Sequence, residues 1–335
     1  MGAQPQTAGG AELFFQRVQR ATEAYLTRRA RKKRIAKEKQ AKKHPVADWV
    51  EAFVWAACFV LVVNQYAVQA YQIPSGSMID TLNIGDHIFV NKLIYGPELL
   101  PGIAKTKTPL RPQRNDVIIF DNPAYIANGP VFDIAQRVIY MLTIAMVDID
   151  RDENGQPKAH FLIKRAVGAA GDLFVNADGE MLVRFAGEDR FVREREYNAR
   201  RGWNHQISRL IKPEDYPALK AAAKVAAYSY LGVPPPEATL ALAGGGQWAR
   251  FVNDITFDTT WVSVLRSAHP HDSRYAELAA RREAGWYIGE GRMFPLGDNR
   301  DNSHDGRYFG PVRESKVLGK GAFKYWPPRR IGTIK

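Results

Sequence analysis

Disulfide bonds are excluded from this fold by the near absence of cysteine. The 335-residue chain contains one cysteine, Cys58, and a single thiol cannot form an intramolecular bridge. Cys58 lies in the most apolar stretch of the chain, where a lone cysteine is usually a small packing residue. Because 45% of the residues are hydrophobic, the chain can still bury a substantial core.

Acidic residues are scarce in the first 48 positions. This arm holds twelve lysines and arginines against four acidic residues, a local net charge of +8 within the +12 of the whole chain. Such an arm could bind nucleic acid, but next to an apolar segment it is explained more simply as a topology signal that also meets anionic lipid. Membrane lipids are therefore expected partners, and nucleic acid is not.

Residues 49–71 form the apolar run that is long enough to cross a membrane. About 20 helical residues span a hydrocarbon core of roughly 30 Å, and the run has an uninterrupted apolar centre from Ala52 to Val63. The basic arm before it predicts a cytoplasmic N-terminus, with everything from about Gln72 onward on the other side. Val68-Gln69-Ala70 has the small-residue pattern of a cleavage site, but the preceding region is far longer than signal peptides have.

Alternating or β-branched residues predict strands in the remaining body. The predicted strands are Asp86–Lys92, Asp116–Phe120, Phe161–Val167 and Val317–Trp326. Two further strands, Leu173–Asn176 and Met181–Val183, flank Asp178-Gly179, a dipeptide that favours a hairpin turn.

Between residues 185 and 285 the pattern becomes helical, with capped helices expected at Pro213–Leu231 and Ser273–Gly285. We therefore predict a basic arm (1–48), a membrane helix (49–71), a β domain (72–184 and 286–335) and an inserted second domain (185–285). A shorter apolar run, Val138–Val147, cannot span a membrane. It is either a buried element or a patch on the bilayer surface.

Two residues could together carry acyl-transfer chemistry. Ser77 lies in Pro74-Ser75-Gly76-Ser77-Met78, a tight turn that could present a hydroxyl and a backbone N–H on one side. Lys164 shares a face of its predicted strand with Leu162, and burial would lower its pKa and supply a neutral amine. Separately, the two residues also fit a loop serine and a surface lysine.

The segment Gly297–Arg307 is dense in acids and amides. Asp301, Ser303, Asp305 and Gly306 fit the first half of a calcium loop that begins at Asp301, but its twelfth position is Val312, where a bidentate glutamate is required. We expect no bound metal. Asp305 and Arg307 could instead form an ion pair that holds the loop and leaves Ser303 free to hydrogen bond elsewhere.

Together these segments resemble bacterial type I signal peptidase, the leader peptidase family of Ser-Lys serine proteases. Five motifs match in the family's order: PSGSM at 74–78, GDHIFVNK at 85–92, RNDVIIF at 114–120, IKRAVGAAGD at 163–172 and GDNRDNSHDGRYFG at 297–310. Asp80, where the family usually has proline, and Gly306, where serine is common, depart from the pattern. The stretch 121–159 is longer than in compact members of the family. It has no assigned role, and membrane contact is one possibility.

The resemblance implies a role for each matched residue. Ser77 would be the nucleophile and Lys164 the general base, while Ser75 and the Ser77 N–H would form the oxyanion hole. Ser303 would orient Lys164. The remaining matches are Asp305 and Arg307, which would brace the loop, and Ile73 and Ile163, which would line shallow pockets for small side chains.

The fold implied is mainly β, with coiled antiparallel sheets, one N-terminal transmembrane helix and an inserted α+β second domain. The activity implied is cofactor-free removal of signal peptides from secretory preproteins after an Ala-X-Ala-like sequence, at the bacterial inner membrane. Two alternatives remain open: another membrane-tethered Ser-Lys processing protease, and an inactive scaffold of the same fold.

Overall fold

The computed structural model describes residues 10–41, 45–100, 104–106, 108–126, 128–143, 146–151, 155 and 158–334. The chain divides into two compact units, Met1–Phe59 and Val60–Lys335. The helices are α1 Gly10–Ala41, α2 Pro45–Tyr66, α3 Pro130–Leu142, α4 Glu194–Arg200, α5 Tyr216–Tyr230, α6 Glu237–Ala243, α7 Ile255–Ala268, α8 Ser273–Ala284 and α9 Gly306–Phe309. The strands are β1 Val68–Gln72, β2 His87–Asn91, β3 Glu98–Leu100, β4 Ala104–Lys105, β5 Val117–Asp121, β6 Phe161–Gly168, β7 Leu173–Ala177, β8 Glu180–Arg184, β9 Val192–Arg193, β10 Trp286–Tyr287, β11 Arg292–Leu296, β12 Val312–Arg313, β13 Val317–Trp326 and β14 Gly332–Thr333.

The apolar helix α2 ends earlier than the sequence predicts. Its segment Asp48–Tyr66 is long and apolar enough to cross a membrane, whereas the prediction extended the helix to residue 71. Residues 68–72 form β1 instead, because their backbone pairs with β2 from Val68↔Asn91 to Gln72↔His87. The interpretation of Cys58 as a packing residue is wrong, since its side chain is exposed on α2.

The main sheet positions the functional residues. Eight of the described strands form it, in the order β1-β2-β13-β5-β6-β11-β12, with β14 paired to β13. The strands predicted at β2, β5, β6 and β13 are confirmed within one residue at either end. This curled antiparallel sheet and its helices confirm the predicted mainly β fold class.

Strand β5 is buried on both faces of this sheet. Val117 and Ile119 pack into one apolar cluster with Ile73 and Met78. The alternate residues Ile118 and Phe120 pack into a second cluster on the other face with Tyr95 and Val317, as expected for side chains that alternate along a strand. The sheet therefore lies between two apolar layers.

The predicted hairpin at residues 173–183 is confirmed as β7 and β8. Asp178 and Gly179 both have positive φ, 50° and 75°, the combination that a two-residue type I′ turn requires. The hairpin pairs with β9 and β10 in a separate sheet of order β10-β7-β8-β9. This pairing crosses the predicted domain boundary at residue 184, so the division into domains remains a prediction.

The segment between β9 and β10 is mainly helical. Both predicted helices are present, as α5 and α8. Helix α7 begins where the Asp254 side chain accepts hydrogen bonds from the N–H groups of Thr256 and Phe257, a typical N-cap. Helices α5 and α7 share an apolar cluster that includes Leu219, Trp248 and Phe257.

Helix α3 covers the first part of the short apolar run at 138–147. Its Tyr140 packs against the first cluster of the main sheet, whereas Val138 and Leu142 are 36% and 41% exposed. Residues 144 and 145 of the run lie outside the described residues. The run is thus only partly buried, with an apolar side left on the surface.

Candidate active site

Ser77 lies five residues after the end of β1, the strand that follows α2. A short 3₁₀ helix, Gly76–Met78, begins after Ser75, and the first N–H groups of a helix have no partner within it. Ser77 is only 7% exposed, and its Oγ lies 3.4 Å from Ser75 Oγ. The two predicted serines are therefore brought together.

Lys164, on strand β6, contacts Ser77. Its Nζ is hydrogen bonded to Ser77 Oγ at 2.7 Å and donates to the Ile163 carbonyl at 3.1 Å. The side chain is 3% exposed, which confirms the buried lysine that the strand pattern predicts. Burial lowers its pKa to about 8, an effect that Asp305 and Asp298 oppose and Arg307 reinforces.

The predicted ion pair in the 297–307 loop is confirmed. Arg307 Nε lies 2.9 Å from Asp305 Oδ1, with both side chains almost completely buried. The other oxygen of Asp305 accepts a hydrogen bond from the Gly297 N–H at 2.9 Å. Asp305 thus links the two ends of the loop.

Ser303 lies next to this pair and close to Ser77. A Cβ at Gly297 would lie 2.1 Å from Ser303 Oγ and 2.6 Å from the Ser77 carbonyl, so only glycine fits between them. Ser303 Oγ is buried without a hydrogen-bond partner among the described residues. Its predicted contact with Lys164 is therefore absent from this arrangement, and its orienting role stays a proposal.

Gly306, a departure from the family pattern, has a local reason. A Cβ there would lie 2.8 Å from the Pro295 carbonyl and 2.9 Å from the Phe294 ring. The other departure, Asp80, accepts a hydrogen bond from Ser208 Oγ at 3.0 Å. Both departures therefore fit their surroundings.

Two positioning contacts were not foreseen from the sequence. Asn299 donates two hydrogen bonds to the turn that contains Ser77. Its N–H lies 3.0 Å from the Ser77 carbonyl and its Nδ2 lies 3.0 Å from the Gly76 carbonyl. Arg165 forms a buried pair with Asp298 at 2.7 Å, and Asp298 also accepts from Thr81 at 2.5 Å. The density of polar residues in the loop signals such contacts but does not identify their partners.

The segment between β9 and β10 supports the same loop. Glu194 at the start of α4 pairs with Arg300 at 2.5 Å, with both side chains at least 96% buried. Ser208 exchanges backbone hydrogen bonds with the neighbours of Asn299, at 2.9 Å to Asp298 and 3.0 Å to Arg300. Arg209 adds a pair with Asp301 at 2.9 Å. No sequence signal marks Glu194, which lies 106 positions before its partner.

A cleft of about 390 Å³ opens beside Ser77 and Lys164. Both predicted pocket residues, Ile73 and Ile163, line it together with Tyr71 and Met78. In the described pairings β1 bonds only to β2, and residues 161–164 of β6 bond only to β5. Two strand edges that pair with no second strand among the described residues therefore border the cleft.

The unassigned stretch 121–159 forms a further wall of this cleft. Gln136, Arg137 and Tyr140 of α3 line it. Asp150, which is 1% exposed, holds the stretch together by accepting from Tyr125 at 3.0 Å and Asn128 at 2.8 Å. Residues 127, 144–145, 152–154 and 156–157 lie outside the described residues.

Within the described residues, no three histidine, cysteine, aspartate or glutamate side chains converge as a ligand set. The arrangement offers instead a hydroxyl, a buried amine of lowered pKa and a groove bordered by two strand edges. These groups suit cleavage of an extended peptide by nucleophilic attack.

The Glu194–Arg300 pair predicts a strong and specific mutational effect. Glu194→Gln leaves the Arg300 charge buried without a counter-ion, so we expect a loss of about 3–5 kcal/mol in the free energy of unfolding. Chemical denaturation measures it. Glu196→Gln in the same helix removes an exposed pair with Arg200 and should cost less than about 1 kcal/mol. Equal effects of the two substitutions would contradict the assigned role.

Comparison with known proteins agrees with this geometry. The family model described as signal peptidase, peptidase S26, matches residues 46–326. Signal peptidase I of Haemophilus influenzae is 25% identical, with 87% of this chain and 73% of that protein covered. Signal peptidase I of Pseudomonas aeruginosa is 27% identical, with 89% of this chain and 79% of that protein covered. Signal peptidase I of Pseudomonas fluorescens is 26% identical, with 86% of this chain and 75% of that protein covered. Since the family model spans most of the chain, this protein belongs to the signal peptidase family, peptidase S26, of serine endopeptidases.

Proposed function

We propose that this membrane-bound endopeptidase removes N-terminal signal peptides from exported proteins by means of a Ser77–Lys164 dyad. The observation that supports the dyad is the 2.7 Å contact between Lys164 Nζ and Ser77 Oγ within a buried site. Because burial lowers the Lys164 pKa to about 8, a substantial fraction of the side chain is neutral near physiological pH. A neutral amine can accept the serine proton without a histidine.

Acylation begins with attack of Ser77 Oγ on the scissile carbonyl carbon. Lys164 takes the hydroxyl proton as the new C–O bond forms, and then delivers a proton to the departing amine as the C–N bond breaks. The mature protein leaves with a free N-terminus, and the signal peptide remains as an ester on Ser77. Neutral Lys164 next removes a proton from water as the water oxygen attacks the ester carbon. It then returns that proton to Ser77 Oγ as the ester C–O bond breaks, which releases the signal peptide with a free carboxylate and restores Ser77.

The oxyanion of each tetrahedral intermediate needs hydrogen-bond donors on one side of Ser77. The Ser77 N–H, at the start of a 3₁₀ helix, and the Ser75 hydroxyl, 3.4 Å from Ser77 Oγ, supply them. Such fixed donors lower the barrier because they need no reorganisation when charge develops.

Orientation of the base is the role proposed for the 297–307 loop. Ser303 orients Lys164 when substrate is bound, and the buried Asp305–Arg307 pair braces the loop behind it. Asn299 fixes the turn of Ser77 through two hydrogen bonds. A general base held in this way stays within reach of the proton that it accepts.

Substrate binds as an extended strand between β1 and residues 161–164 of β6. Their outer edges supply backbone hydrogen bonds, the mode by which many proteins bind extended peptides. Side chains one and three residues before the cut point the same way, because strand side chains alternate. Those two enter the pockets at Ile73 and Ile163, where buried walls leave room for small residues and give an Ala-X-Ala-like preference.

The Asp48–Tyr66 segment anchors this peptidase in the bacterial inner membrane. The basic residues that precede it set the N-terminus in the cytoplasm, and the catalytic unit then faces the opposite side. Cleavage sites of secretory preproteins emerge from the membrane on that side.

Removal of the lysine amine tests the dyad. Lys164→Met should lower cleavage of a purified preprotein by at least about 10²–10⁴-fold, the range typical of a lost general base. Folding should survive, because a lowered pKa means that the ammonium destabilises the folded state. The buried ammonium lowers the free energy of unfolding in full below pH 8, and this loss disappears by pH 10.5. Lys164→Met should therefore exceed the wild type in free energy of unfolding by more at pH 7 than at pH 10.

Lys316→Met, at a lysine whose side chain is 52% exposed, is the matched control and should keep wild-type turnover. Retained turnover in Lys164→Met would refute the dyad. A folded but inactive wild-type chain would instead support the scaffold alternative.

The lowered pKa of Lys164 also predicts the pH dependence of cleavage. The reaction needs the neutral amine, so kcat/KM should rise with pH along a single-proton limb centred near pH 8. Initial rates across a buffer series measure it. A limb centred near 10.5, the ordinary pKa of a lysine side chain, would mean that burial does not tune this amine.

The proposed pockets predict the choice of substrate. Replacing alanine by phenylalanine immediately before the cut should lower kcat/KM by about two orders of magnitude or more, because the side chain must enter a closed apolar wall. The same replacement two residues before the cut, where the side chain points away, should change the rate little. Equal cleavage of all three substrates would favour a processing protease with another specificity.

A further inference from the structure

The first half of α1 has an apolar side. Phe14, Val18 and Tyr25 are separated by four and seven residues, which places them on one line of a helix with 3.6 residues per turn. Phe15 and Leu26 widen this line into a face. The polar residues Gln16, Arg20, Glu23 and Thr27 occupy the opposite side, while Thr22 lies within the apolar face and Gln19 lies at its edge beside Leu26.

This apolar face is uncovered in the described part of the chain. The exposed fractions are 63% for Phe14, 70% for Phe15, 47% for Val18, 63% for Tyr25 and 55% for Leu26. A helix with this division into an apolar and a polar face is typical of segments that lie in the membrane interface.

The second half of α1 is basic on every side. It contains Arg28, Arg29, Arg31, Lys32, Lys33, Arg34 and Lys37, all exposed. Glu38 is the single acidic side chain in this part of the sequence. Clusters of this kind bind anionic lipid headgroups.

We propose that α1 lies on an anionic membrane surface, with its apolar face in the acyl boundary and its basic half on lipid phosphates. Three residues separate α1 from α2, which contains the candidate span. Once that span is inserted, the tether raises the effective concentration of α1 at the bilayer. The inference rests on the proposed membrane anchor, but not on which side α1 occupies.

Charge and exposure favour lipid over other occupants of this face. Nucleic acid would engage the basic half and leave five large apolar side chains in water. A second copy of α1 would cover them, but would bring two dense positive segments together. An anionic bilayer satisfies both halves of the helix at once.

Depth-dependent quenching in the full-length protein tests the proposal. The variant Cys58→Ser with Val18→Cys carries an environment-sensitive fluorophore on the apolar face, and Cys58→Ser with Gln16→Cys carries it on the polar face. In vesicles of phosphatidylcholine and phosphatidylglycerol, brominated lipid should quench the Val18 label severalfold more than the Gln16 label. In pure phosphatidylcholine, or at high salt, this difference should shrink.

Two companion measurements separate the possible failures. A second label pair, Tyr25→Cys and Thr27→Cys, each combined with Cys58→Ser, guards against local damage by the probe and should repeat the pattern. Native Cys58, labelled in the otherwise unchanged chain, reports insertion of the span itself. If Cys58 were not quenched, the membrane anchor would be refuted rather than the surface helix alone.

Three results would overturn the proposal while Cys58 is quenched. Equal quenching at Val18 and Gln16 would mean that α1 does not rest on lipid. A Val18 label shielded from water but untouched by brominated lipid would indicate a second copy of the helix. A response of the Val18 label to added RNA, without quenching by lipid, would assign the arm to nucleic acid.

Discussion

Burial of the Lys164 amine beside Ser77 is the constraint on which the rest of the site depends. A lysine that is 3% exposed loses most of its hydration, and the ammonium is the form that suffers from this loss. The site therefore has to keep water and direct carboxylate contacts away from Nζ. Its described hydrogen bonds are to the Ser77 hydroxyl and the Ile163 carbonyl, neither of which stabilises the charge as a carboxylate would.

The carboxylates near Lys164 are each paired with an arginine, which limits how far Asp298 and Asp305 raise the Lys164 pKa. Asp298 pairs with Arg165, Asp305 with Arg307, and Glu194 with Arg300, all in buried positions. Buried pairs of this kind add little net stability compared with apolar packing, but breaking one leaves an unpaired charge at high cost. The three pairs consequently make the 297–307 loop rigid while leaving the amine with a lowered pKa.

The parts of the chain that differ from a minimal β domain also serve the site. The segment between β9 and β10 holds the loop through Glu194, Ser208 and Arg209. The 121–159 stretch, in which the sequence shows no function, builds a wall of the cleft around α3. Insertions that fold against the proposed catalytic loop and the proposed substrate groove are positioned to influence both turnover and substrate choice.

Local patterns in the sequence determined the strands, the hairpin, the apolar helix and the residue types needed for acyl transfer. These features follow from side-chain alternation, turn preferences and hydropathy, all of which act between neighbours. The end of α2 was predicted five residues too far, because pairing of β1 with β2 outweighs the apolar composition of residues 67–71. Only the tertiary structure decided that Lys164 lies within 2.7 Å of Ser77, that Gly297 separates Ser77 from Ser303, and that Glu194 balances Arg300. Each of these contacts joins residues far apart in the chain, where burial and close packing rather than local preference select the partner.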